Sequence, residues 1–153
     1  MTAEPMAARH SQAPTGKIRR ARRHRAELRA AMQGFECALA ASPADPAWRH
    51  GVAAELARLR NEFRTHVELT EGPDGLYAEV LCDAPRLVHQ VYSLGREHGM
   101  VLAALDALAA RIDAAPDRLR SWASDLLREL SRHRQRGADL VYEAYATDLG
   151  GEN

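Results

Sequence analysis

The stretch DRLRSWASDLLRELSRHRQRGADLVYEAYAT, residues 117–147, decides the fold. Leu119, Trp122, Leu126, Leu130, His133, Gly137, Leu140 and Ala144 recur at three- and four-residue intervals, which places them on one face of a single long helix. Arg128, Arg132, Arg134 and Arg136 fall mostly on the solvated side. One amphipathic helix cannot bury its stripe alone, and three similar segments precede it. His24, Leu28, Ala31, Phe35 and Ala38 mark a stripe in 18–41, and Val52, Leu56, Leu59, Phe63, His66 and Thr70 mark one in 47–71. In 85–113 the row is Leu87, Val91, Leu94, His98, Val101 or Leu102, Leu105 and Ile112.

The prolines at 43, 46, 73, 85 and 116 punctuate these segments instead of interrupting them. Joints as short as ASPADP and DAAP favour antiparallel neighbours. The expectation is an all-α, antiparallel up-down four-helix bundle over residues 18–149, preceded by a disordered tail at 1–17. Between the second and third segments, GPDG and the short segment LYAEVLCD serve as a linker that climbs back along the bundle.

Composition agrees and narrows the function classes. Of 153 residues 29 are Ala, and aromatics make up 5%, which favours helix over a sandwich or barrel. Lys+Arg and Asp+Glu are 21 each, so no polyanion partner follows from overall charge. The run KIRRARRHRAELR packs seven Lys or Arg residues into 17–29, but it has no interleaved aromatics and reads as a solvated helix start, with no nucleic acid as partner. Cys37 and Cys82 form no C-x-x-C; Cys37 reads as a redox-sensitive thiol or, more simply, a small buried filler. The start MTAEPMAARHSQAP lacks a secretory apolar run, and no stretch approaches a transmembrane span, so a cytoplasmic protein with no membrane partner is expected.

Each of the four stripes contains one histidine, and their heights match. His24 lies 17 residues before position 41 and His66 19 after position 47, a mismatch of roughly 3 Å at helical rise. His98 lies 15 residues before position 113 and His133 16 after position 117, a mismatch of roughly 1.5 Å. Four unpaired buried imidazoles would be costly, and a metal ion relieves that cost. The candidate ligands are His24, His66, His98 and His133, with Glu71 as the best-placed carboxylate. Glu27, Glu62 and Glu129 sit three or four residues from a site histidine, as further ligands or as acceptors for an imidazole N–H. His10, His50 and His89 read as surface residues. Glycines at 95, 99 and 137 suggest room made near His98 and His133.

RRHRAEL, RTHVELTEG, GREHG and SRHRQRG, in this order, make the chain resemble the hemerythrin family in its broad bacterial form. TEGPDGLYAEV and YEAYATDLGG resemble a subgroup of it, and the likeness covers about residues 20–151. The resemblance implies a four-helix bundle around a non-haem di-iron centre that binds dioxygen or another small diatomic ligand, senses oxygen or redox state, or handles metal. The chain departs from the pattern at the fourth-helix carboxylate, where Gly137 and Ala138 stand, and at the extra third-helix histidine, where Leu94 and Leu102 stand. Three outcomes stay open: a di-iron site with carboxylates from other positions, a mononuclear site of iron or another divalent metal, or a metal-free degenerate bundle. The last would serve as an interaction or structural module, for instance as a homodimer. A larger group such as a haem held by two histidines is a further alternative, and no residue argues specifically for an enzyme.

Overall fold

The computed structural model describes residues 16–146, which form helices and no strand. Residues 1–15 of the expected tail, His10 among them, lie outside the described residues, as does the end of YEAYATDLGG. The helices are α1 (Gly16–Ala40), α2 (Trp48–Glu71), α3 (Leu76–Asp83), α4 (Val88–Ala110) and α5 (Pro116–Ala146). A 3-10 turn at Pro85–Leu87 links α3 to α4. Helices α1, α2, α4 and α5 pack as a four-helix bundle, while LYAEVLCD, read as a linker, is itself a helix.

The up-down order is fixed at one end by arginines. Arg120, near the start of α5, donates to the carbonyls of Leu39 and Ala41 (both 2.9 Å) and so satisfies the open end of α1. Arg49, at the start of α2, donates to the Ala114 carbonyl at 2.8 Å and to that of Ile112, just beyond α4. Both guanidiniums lie over the buried Trp48 ring, at 5.8 and 5.5 Å from its centre. At the other end the α2–α3 turn is tight: a Cβ at Gly75 would meet the Thr70 carbonyl oxygen at 2.6 Å, so only glycine fits without a shift.

The stripes read from sequence are the buried faces, with Met32, Leu39, Trp48, Leu108, Ala123 and Leu127 added. Ala38, Ile112 and Trp122 are half-buried. Cys37, expected among the fillers, is exposed, because its helical position points it away from the Phe35–Leu39 face. Two apolar clusters result. The larger runs from Leu28 and Phe63 to Leu119 and Leu130; the smaller joins Tyr77 and Val80 of α3 to Val91, Leu94, Leu140 and Ala144. His98 stands between Leu94 and Val101, and His133 between Leu130 and Leu140, so a polar layer separates the two clusters. Removing the fully buried ring in Phe35→Ala should cost about 3–5 kcal/mol in urea unfolding, whereas Tyr142→Ala, at a 71%-exposed position, should stay within about 0.5 kcal/mol.

Candidate metal centre

The layer between the clusters holds all four stripe histidines. Their exposures are 4% for His24, 1% for His98 and 2% for His133, and His66 is half-buried. Ring centres lie 4.7 Å apart for His98 and His133, 5.0 Å for His66 and His98, and 5.3 Å for His66 and His133. His24 stacks on the outer side of His66 at 6.0 Å. Phe63, one turn before His66 on α2, forms the floor, its ring 5.5–5.9 Å from those of His66, His98 and His133. His50 and His89 are exposed, as their places off the stripes predict.

The Nε2 atoms converge: that of His133 is 3.0 Å from His98 Nε2 and 3.1 Å from His66 Nε2. Behind them, the outward nitrogens meet carboxylates. His98 Nδ1 donates to Glu71 Oε1 at 2.9 Å, and His133 Nδ1 donates to Glu97 Oε2 at 2.7 Å. Arg136 pairs with the other oxygen of Glu97. An ionised carboxylate only accepts, so both rings carry their proton on Nδ1 and present a bare lone pair at Nε2. The Tyr77 hydroxyl of α3 lies 3.3 Å from His98 Nε2, and burial holds that phenol above its ordinary pKa.

The contact between His98 and His133 is therefore acceptor against acceptor. A proton shared between them would make a buried imidazolium, and burial opposes that. It pushes the pKa of His133 down to about 4; that of His66 is pushed down to about 2 by burial and then by His98 and His133. Burial likewise lowers His98, against the pull of Glu71. His66, His98 and His133 form a group that could hold a metal cation between these lone pairs. Two imidazole nitrogens about 2.1 Å from one ion and at right angles to each other sit about 3 Å apart, close to the spacings found.

Glu71 is placed on the far nitrogen of His98, not among the converging Nε2 atoms. His24 belongs to a second group with Glu27 and Glu62, whose carboxylates lie 3.8 and 3.7 Å from its Nδ1; neither ring nitrogen has a hydrogen-bond partner. Glu129 pairs with Arg132 at 2.8 Å on an exposed face. Of the three glycines, Gly95 is explained: a Cβ there would come within 3.1 Å of Glu71 Oε1. Open space surrounds the Cβ positions of Gly99 and Gly137.

Sequence reasoning missed Glu97 and Tyr77. The E-H pair in GREHG was visible, but only the pairing of α4 with α5 turns Glu97 toward His133. Tyr77 reaches His98 because α3 is a helix docked on the bundle, stacking its ring on the imidazole at 5.6 Å.

On the α1–α5 side a cavity of about 270 Å³ opens onto His24, His66, Tyr77 and His133. Arg134 lines it with an unpartnered buried Nε, its guanidinium held below the ordinary value by partial burial and then by Arg29 and Arg25. A second groove of about 330 Å³ between α4 and α5 reaches His133 and Glu97 from the other side. Among the described residues no helix is long and apolar enough to cross a membrane. No family model matches the chain, and neither does any curated protein or any solved structure.

The lowered pKa values carry a pH prediction for chelator-treated protein. Unfolded histidines take up a proton near pH 6.5, whereas His133 resists down to about 4 and His66 to about 2. The unfolded chain then binds more protons below pH 6.5, so stability is full above that value and lost as pH falls through it. Urea unfolding between pH 7.5 and 5 should show a loss approaching about 1.4 kcal/mol per pH unit for each such histidine, and a flat profile would contradict the buried neutral state.

Proposed function

We propose that the chain is a hemerythrin-like metal-binding protein whose ion is held by His66, His98 and His133. The observation that carries this reading is the facing of two bare Nε2 lone pairs, His98 on His133, at 3.0 Å inside a core that disfavours a proton there. Glu71 and Glu97 act behind the ligands: each accepts the N–H of an imidazole, fixes its tautomer and raises its basicity. Tyr77 stacks on the His98 ring and covers the centre from above. His24, Glu27 and Glu62 form the adjoining group from which a second ion would draw ligands. Non-haem iron is the metal that the hemerythrin resemblance implies, and imidazole donors whose Nε2 atoms stand 3.0 and 3.1 Å from that of His133 suit such an ion.

Bound iron would supply an open coordination position and a redox change, which suits a small diatomic ligand, oxygen or redox sensing, or metal handling. The protein's own residues supply the rest. Phe63 and the two apolar clusters bound the layer on either side, and the carboxylates hold the rings in the ligating tautomer.

Elemental analysis of tag-free protein expressed with iron, manganese and zinc available tests this reading. One to two irons per chain are expected. His98→Leu should lose the metal and the thermal stability it confers, while Glu97→Gln should weaken metal affinity by about 10- to 100-fold in a chelator competition. A folded wild type with no metal, together with a His98→Leu variant of equal or higher stability, would overturn it in favour of a metal-free bundle.

A further inference from the structure

The two openings that reach the histidine layer differ in charge. The α4–α5 groove carries Arg111, over the Trp122 ring, and Glu97, Asp125 and Glu129, each already paired with an arginine: Arg136, Arg128 and Arg132 respectively. The α1–α5 cavity carries Arg25 and Arg134 and no Asp or Glu in its lining. An adjoining groove of about 450 Å³ is lined by the same two arginines with Arg29 and Gln33, again without an acid. Among the described residues none of these three arginines has an ion-pair partner, and the Nε of Arg134 is buried with no hydrogen-bond acceptor. Glu27 and Glu62 approach His24 of this lining but form no ion pair with the three guanidiniums, which repel one another, an arrangement relieved by an anion.

From this we infer that the α1–α5 cavity is a binding site for a small oxyanion, inorganic or carboxylate, held by Arg25, Arg29 and Arg134 at the threshold of the histidine layer. Ser131 and the second N–H of the Gln135 amide, whose first is donated to Asp139, offer neutral hydrogen bonds to its remaining oxygens. Gly137, whose Cβ position meets nothing within 4 Å, leaves the passage clear. The inference deepens the metal reading, because the anion would stand where His24, His66 and His133 can be reached. The arginine site itself does not require the ion.

Isothermal titration calorimetry at low salt, with sodium nitrite and separately with sodium acetate, tests it on both metal-loaded and chelator-stripped protein. Wild type should bind at least one of the two, with affinity falling as salt is raised. Nitrite alone would assign an inorganic oxyanion and acetate alone a carboxylate; binding of both leaves the shared oxyanion chemistry. Arg25→Gln, Arg29→Gln and Arg134→Gln should each weaken binding by about five- to tenfold, and Arg132→Gln, whose partner is Glu129, should not. Arg29 is exposed, so its substitution keeps the test valid if the Arg134 variant folds poorly. Absence of binding to either wild-type form, or equal affinity in wild type and the three variants, would overturn the inference. Protein that takes up no metal yet binds the anion through these arginines would remove the metal reading and leave this one standing. Metal uptake with anion binding indifferent to the arginines would do the reverse.

Discussion

The approach of His98 Nε2 to His133 Nε2 at 3.0 Å is the constraint on which the rest of the interior depends. Neither nitrogen has a proton to offer the other, because Glu71 and Glu97 have drawn those protons to the opposite side of each ring. The carboxylates are themselves placed by the fold. Gly95 leaves the space that Glu71 occupies at the end of α2, and Arg136, one turn beyond His133, pairs with Glu97 and keeps it turned inward. Two apolar clusters then meet this layer from either side, with Phe63 as its floor and Tyr77 as its roof. A layer of that polarity in the middle of a bundle weakens the core unless something satisfies it. The structure thus carries a local conflict inside an otherwise consistent helical design, the usual mark of a functional position.

Much of this architecture was legible in the chain. The spacing of Leu119, Leu126, Leu130 and Leu140 required a single buried face, and the prolines left little freedom over where helices begin. The heights of the histidines could be compared because helical rise is constant and the joints are short. Illegible were the contacts that depend on how one helix rotates against another. Glu97 and His98 are adjacent in sequence yet face different neighbours, one toward α5 and the other into the layer, and periodicity cannot say which neighbour lies there. Tyr77 belongs to a segment too short for its periodicity to be read, and its role follows from the docking of α3. Glu71 was found as a residue of the site, but whether a carboxylate faces a metal or the back of a ring turns on a rotation that spacing alone leaves open.

The separation of carboxylates from the converging nitrogens has an electrostatic consequence. A divalent ion held by three neutral imidazoles would keep its charge uncompensated, whereas directly ligating carboxylates would cancel it. Glu71 and Glu97 would act on such an ion only through the rings they hydrogen-bond, and part of the charge on Glu97 is spent on Arg136. In a buried layer, where the effective dielectric is lower than in water, that residual charge favours any negative group able to reach it. The cavity leading to the layer from α1 and α5 is lined by cations without acidic partners, so its charge has the same sign. Donor set and access route thus favour the same kind of ligand, small and anionic. A site made only to exchange a neutral gas would gain nothing from three unpaired arginines, which destabilise one another in the absence of an anion.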